Sequence, residues 1–186
     1  MRLASEMARR GENPASTFEA AFRDLEEAVK TEPAAWAVRA EAFVRRGEWK
    51  MASGREGDSD FQAALDDTKQ GIAINLLATD AWIWQGRART LSAAYRPVPL
   101  IHYTEAINDL GKVLFFAPDH VQALRFRADG YHRRAILKAT RRLESASDFK
   151  LALTDFQHVV RLQPSLAGEL ADAIAACKTG AEGSKR

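Results

Sequence analysis

The chain has 186 residues, of which 46% are hydrophobic and 28% charged, with a formal net charge of +2; this is the composition of a soluble globular chain, and the charge is too small to argue for nucleic acid by itself. No stretch approaches the roughly 18 uninterrupted apolar residues of a membrane span, and the opening MRLASEMARR lacks the apolar core of a secretory signal. A single cysteine, Cys177, excludes an internal disulfide framework and a multi-cysteine zinc site and points to a reducing, cytoplasmic setting.

Taken in chain order, residues 3–10 read as the stub of a helix and RRGENPASTF (9–18) as a connection, so residues 1–17 are expected to be part of a truncated repeat. A first helix follows over 18–32, with apolar Phe22, Leu25 and Val29 at helical spacing, and Pro33 closes it. Next come AAWAVRAEAFVRR, extended to 34–55, and a helix over 58–75, with the Asp and Ser of DSDF, and further on those of SASDF before Phe149, as N-cap residues. A helix over 80–96, one over 104–117 stopped by Pro118, one from about His120 to Leu143, and one over 148–163 stopped by Pro164 complete the series. SLAGELADAIAACKTG forms a last, capping helix, with Glu169 and Asp172 on its polar outer face and Lys178 and Gly180 as its end signals. Residues 179–186 are expected to be disordered.

Four of these helices share one frame. Phe18, Phe61, Tyr103 and Phe149 are each followed three residues on by Ala21, Ala64, Ala106 and Ala152, and six residues on by Asp24, Asp67, Asp109 and Asp155. The spacings are 43, 42 and 46 residues, the mark of stacked repeats. The intervening helices superpose on Trp36, Trp82 and Leu124, with Ala40, Gly86 and Ala128 four residues later. A bulky residue followed by a small one at plus four is the pattern of a close helix–helix contact. The unit is therefore helix A, loop, helix B.

On these residues the chain resembles the tetratricopeptide repeat (TPR) family. Ala21, Leu25, Ala28 and Pro33 fit its helix B positions; Trp82 with Gly86, and Ala128 with Tyr131, fit helix A. The resemblance implies an all-α solenoid of antiparallel helix pairs over 18–178, about three full repeats with a leading helix B and a C-terminal cap. The family repeat is about 34 residues, so the 42–46-residue spacing here implies a long helix A, lengthened by about two turns through GEWKMASGREGDSD, SAAYRPVPLIH and AILKATRRLESASD. A similar variant occurs in TPR arrays attached to bacterial Ser/Thr protein kinases.

The sequence carries no catalytic motif, metal spacing or cofactor loop. His102, His120, His132 and His158 are scattered, and GREGDS lacks the residues of a phosphate loop. Cys177 reads as a small core residue. The recurrent Asp residues lie a repeat apart and are expected to pair with helix A arginines: Asp24 or Asp67 with Arg39, and Asp109 or Asp155 with Arg127. Trp36 and Trp82 are read as core anchors; Trp84 either packs on a neighbouring repeat or lines a groove; Trp49 covers the extension. The expectation is a non-enzymatic scaffold that binds a protein or peptide, with no cofactor, small molecule or membrane. The helix B segments sum to −7 and the helix A segments to +10, so the resemblance implies a basic groove, lined by Ile83, Trp84, Arg87, Arg125, His132 and Arg133, for an acidic or phosphorylated segment. The opposing reading pairs these arginines with helix B carboxylates as ordinary surface. Glu41, Arg87 and Asp129 stand where the family's carboxylate clamp needs Asn. A docking segment of a larger signalling enzyme and, against the modest charge, RNA binding stay open as alternatives.

Overall fold

A computed structural model of the chain describes residues 6, 7, 10 and 13–183. From residue 13 to residue 182, eight α-helices and two short 3-10 turns make up the regular structure, and no strand occurs among the described residues. The chain divides into two compact units, Met1–Tyr95 and Arg96–Arg186.

The first unit holds α1 (Ala15–Ala28), α2 (Ala35–Ala52), α3 (Asp58–Ile74) and α4 (Thr79–Ser92), closed by a 3-10 turn at Ala93–Tyr95. Each helix packs on the next, and α4 also lies on α2. The second unit holds α5 (Pro99–Phe116), α6 (Val121–Thr140), α7 (Ala146–Leu162), a 3-10 turn at Pro164–Leu166, and α8 (Ala167–Glu182). Its helices pack in the same neighbour-to-neighbour order. Ala40, Ala64, Ala106, Ala128 and Ala152 have no exposed surface, and Gly86 is buried. No helix among the described residues is long and apolar enough to cross a membrane.

Helix ends follow local chemistry. α5 and α7 stop two residues before Pro118 and Pro164, as the pre-proline restriction requires. α1 stops earlier, at Ala28, and Pro33 sits in the following turn. α3 stops without a proline: Asn75 is extended, and its Oδ1 accepts from the Leu77 amide at 2.9 Å. His120 stands outside α6 as its N-cap, Nδ1 accepting from the Ala123 amide at 3.3 Å. α2 and α6 close alike. Gly54 (φ 71°) and Arg142 (φ 56°) take the left-handed conformation, and the amide one residue beyond each donates to the Lys50 and Lys138 carbonyls at 2.8 Å.

Three expectations are corrected. SAAYRPVPLIH does not lengthen helix A. α4 ends at Ser92, and the stretch instead starts α5 at Pro99, because Pro97 and Pro99 force the residues before them out of the α region while Pro itself suits a first helical position. Asp60 and Asp148 are not N-caps. They lie in the first turns of α3 and α7, whose N-cap positions are Gly57 and Ser145; on α7 it is Glu144 whose side chain accepts from a first-turn amide, that of Ser147, at 2.9 Å. α8 continues through Thr179 to Glu182, so Gly180 ends nothing. An added Cβ there would come within 2.4 Å of the Phe149 ring, and glycine is what lets α8 approach α7. Residues 184–186 lie outside the described residues, as does most of the 1–12 segment.

Candidate functional site

Two buried charge clusters tie helix to helix, one in each unit. On α2, Arg39 grips Asp67 of α3 with both arms of its guanidinium, Nε and Nη2 each 2.7 Å from a carboxylate oxygen. Two turns further along α2, Arg46 donates to Asp60 of α3 at 2.5 and 3.0 Å, and Lys50 Nζ lies 2.7 Å from its other oxygen. On α6, Arg127 grips Asp155 of α7 at 2.7 and 2.9 Å, Arg134 holds Asp148 at 2.7 and 2.9 Å, and Lys138 adds a contact at 2.9 Å. All four carboxylates are at least 94% buried.

These pairings raise the Arg39 and Arg127 pKa above the guanidinium's ordinary value, because the carboxylates accept hydrogen bonds from the charged form and outweigh burial. Burial works against the Asp148 charge, but the donors on Arg134 and Lys138 more than offset it and hold its carboxyl below the usual range.

The expected pairing is met by Asp67 and Asp155. Asp24 is exposed and far from this role. Asp109 is buried, with Lys112 Nζ 3.2 Å away on its own helix. The Asp60 and Asp148 clusters were missed, although a signal existed. Arg39, Arg46, Lys50, Asp60, Phe61 and Asp67 recur as Arg127, Arg134, Lys138, Asp148, Phe149 and Asp155, each 88 residues on. The single-repeat frame hides this, since the middle copy has Gln85, Ser92 and His102 at the Arg39, Arg46 and Asp60 positions.

The candidate groove residues fall into two groups. Ile83 and Trp84 on α4 are buried, at 1% and 5% exposure. Arg45 of α2 lies over the Trp84 ring at 5.0 Å, so this tryptophan packs on a neighbouring helix. Arg87 of α4 donates to Glu48 of α2 at 2.6 and 2.9 Å, a half-buried tie between these two helices. On α6, Arg133 pairs with Asp129 one turn earlier at 2.9 Å, and Arg125 pairs with Glu169 of α8. His132 is half-buried, 6.0 Å from the Phe149 ring, and burial lowers its pKa. Each of the three arginines thus meets a carboxylate, on α2, α6 or α8.

Trp36 and Trp82 are only half-buried. Trp82 Nε1 donates to the Leu76 carbonyl at 2.9 Å, and Arg39 stacks on Trp36 at 4.9 Å. Trp49 sits between Phe18 and the Arg55 guanidinium. Burial pushes the Cys177 thiol up to about 11, so it stays protonated at neutral pH. His158 Nε2 lies 2.9 Å from Asp119. No cluster of three or more His, Cys, Asp or Glu side chains able to hold a metal occurs among the described residues. The most exposed large apolar side chains among the described residues lie at two helix ends: Leu76 and Leu77 after α3, and Phe115 and Phe116, edge to face, on the last turn of α5. No protein-family model, curated protein or solved structure matches this chain.

Proposed function

We propose that the chain is a non-enzymatic interaction scaffold of the TPR kind, with α2, α4 and α6 as helix A, α1, α3, α5 and α7 as helix B, and α8 as a cap. One observation carries this reading. A helix with bulky residue, arginine at plus three and small residue at plus four (Trp36, Arg39, Ala40; Leu124, Arg127, Ala128) is locked each time to a helix with alanine and aspartate three apart (Ala64, Asp67; Ala152, Asp155). A construction reused at fixed spacing is how repeat proteins build an extended binding surface.

The partner is an acidic or phosphorylated protein segment, and it binds on α6. Arg125 and Arg133 keep 37% and 38% side-chain exposure, and their present partners Glu169 and Asp129 keep 54% and 23%. Exposed ion pairs of this kind are worth about 0–1 kcal/mol, so a ligand carboxylate or phosphate can displace the internal one and gain the bidentate geometry of arginine. Arg87 is less open, with 15% exposure, and serves the α2–α4 contact. Titration of acidic and phosphorylated peptides and of single-stranded RNA, at low and physiological salt, tests the reading. Peptide binding that the Arg125→Ala, Arg133→Ala variant loses while melting normally supports it, with Arg87→Ala changing affinity less. Binding of RNA alone, with steep salt dependence, moves the function to nucleic acid. Absence of binding to either leaves these arginines as ordinary surface.

A further inference from the structure

The two units repeat one construction, and the second lacks a piece of it. In the first, α4 lies on α2. The Trp84 ring covers the Arg45 guanidinium at 5.0 Å, and Arg87 donates to Glu48. The 88-residue recurrence carries Arg45 and Glu48 to Arg133 and Ile136 of α6, and Trp84 and Arg87 to Asp172 and Ala175 of α8. The arginine is retained on α6. On α8 an aspartate and an alanine stand where α4 has the covering ring and its neighbouring arginine. α8 packs on α7 and reaches α6 through the Arg125–Glu169 pair, near the start of both helices.

What α4 covers on α2 is therefore open on α6. Arg133 keeps 38% side-chain exposure, and Ile136 is 46% exposed. The acidic neighbour of the arginine is kept as well: Arg45 lies 3.5 Å from Glu41 one turn earlier, and Arg133 lies 2.9 Å from Asp129. On α2 this pairing and the stacked ring coexist, because a carboxylate takes the N–H edge of a guanidinium while a ring takes its flat face. Whichever carboxylate holds the edge of Arg133, its face stays available. Ile136, in the place of Glu48, adds apolar surface beside that face, and covering it with a ring is favourable.

We propose that α6 takes an aromatic side chain of its partner, stacked on Arg133 and laid over Ile136, in the place that Trp84 fills on α2. This rests on the reading of α6 as the face that binds an acidic segment, and it completes that segment's chemistry: a carboxylate or phosphate for Arg125, and a tryptophan, tyrosine or phenylalanine for Arg133. The helix sets the spacing between the two. From Arg125 to Arg133 is about 12 Å along the axis at 1.5 Å per residue, which an extended chain crosses in about three or four residues.

The probes are two labelled peptides in a glycine–serine background, titrated by fluorescence anisotropy against the full chain. One carries a pair of glutamates and a tryptophan about three residues on; the other has serine in place of the tryptophan. The tryptophan peptide is expected to bind about tenfold tighter, from stacking and apolar burial together. Ile136→Ser is expected to remove most of that preference and to leave the serine peptide within about twofold, because it touches no charge. Ile136 is half open to water, so the variant is expected to melt as the parent does. Equal affinity of the two peptides for the parent, or a tryptophan preference that Ile136→Ser leaves intact, overturns the aromatic site while the acidic-segment reading stands. Tryptophan-peptide binding that survives Arg125→Ala with Arg133→Ala overturns the reading beneath it, and no binding of either peptide overturns both. Self-association in sedimentation that Ile136→Ser abolishes gives this face to a second copy of the chain and overturns the proposal.

Discussion

Asp148→Asn is the sharpest probe of the charge clusters. The asparagine keeps the shape of the side chain and removes its charge. In the parent, one carboxylate oxygen takes Arg134 Nη2 at 2.7 Å, and the other takes Arg134 Nε and Lys138 Nζ at 2.9 Å each. Asp148 is 2% exposed, and the two cations keep only 15% and 24% side-chain exposure. Breaking a buried pair on one side costs about 3–5 kcal/mol, because the remaining charge is stranded. Lys138 can swing towards water, so the lower end applies, about 3 kcal/mol. In a chain of this length that lowers Tm by roughly 6–12 °C. Thermal melts followed by circular dichroism read it directly. The exposed pair Asp66–Lys69, with 62% and 57% exposure, supplies the control: Asp66→Asn is expected to shift Tm by less than about 2 °C.

The pH dependence gives an independent reading of the same contact. Burial opposes the Asp148 charge, but Arg134 and Lys138 overcome it, so the folded-state pKa is depressed. A depressed carboxylate contributes stability that is complete above the unfolded value of about 3.9 and is lost as pH falls through the folded value. The Tm gap between parent and Asp148→Asn is therefore expected to be constant from neutral pH down to about pH 5 and to narrow below about pH 4. A shift under about 2 °C at pH 7, or a gap that persists unchanged into acid, refutes the assignment of stability to this cluster.

Asp67→Asn and Asp155→Asn are expected to lower Tm as Asp148→Asn does, whereas Asp24→Asn leaves it unchanged, because the same register is ion-paired in α3 and α7 and open in α1; parallel melts decide this. Arg142→Gly is expected to stabilise by about 0.5–1 kcal/mol in urea titration, since Arg142 sits at φ 56° where glycine carries no Cβ penalty. Gly180→Val is expected to destabilise by about 1–3 kcal/mol through overlap with Phe149, and Gly168→Val, where an added Cβ meets nothing, by much less. His132, whose pKa burial lowers, resists protonation when folded, so the stability it contributes is complete above about pH 6.5 and declines as pH falls below it; His132→Phe is expected to flatten that slope in urea melts between pH 7.5 and 5.5.

Helix identity was legible because apolar period and small residues report directly on packing. Ala64, Ala106 and Ala152 stand out by their spacing, and each has no exposed surface. The Arg39–Asp67 and Arg127–Asp155 pairs were legible for a related reason: opposite charges on facing helices at a fixed register have few other partners. Asp60 and Asp148 were misread because local and tertiary chemistry compete at a helix start. An Asp just before an aromatic residue is a good N-cap by propensity, but here a buried Arg and Lys from the preceding helix claim the carboxylate. The extension between α4 and α5 was misread because its composition suits a helix while two prolines decide which helix it joins. Exposure of the arginines was beyond the sequence, since Arg87 and Arg133 have similar neighbours in the chain but different burial once Glu48 on α2 meets Arg87.

The 88-residue recurrence reaches past the charge clusters to the helices that follow them. α8 begins at Ala167 as α4 begins at Thr79, at equal distance from Phe149 and Phe61, and Leu170, 5% exposed, stands at the Trp82 anchor register. The remaining positions diverge. Ile83, Trp84, Ala88 and Leu91 of α4 are buried, whereas Ala171, Asp172, Ala176 and Thr179 stand at their registers in α8 and are exposed. The same helix position thus keeps the face that packs on the preceding helix and trades its other face for small and polar groups. Stability follows from that asymmetry. Leu170→Ala is expected to lower stability by about 2–4 kcal/mol through lost burial and the cavity left behind. Asp172→Leu, which exposes apolar area to water without removing a contact, is expected to stay within about 0.5 kcal/mol. Urea titrations of the two variants separate these outcomes. An Asp172→Leu variant that destabilises as much as Leu170→Ala refutes the division of α8 into a packed and a solvated face.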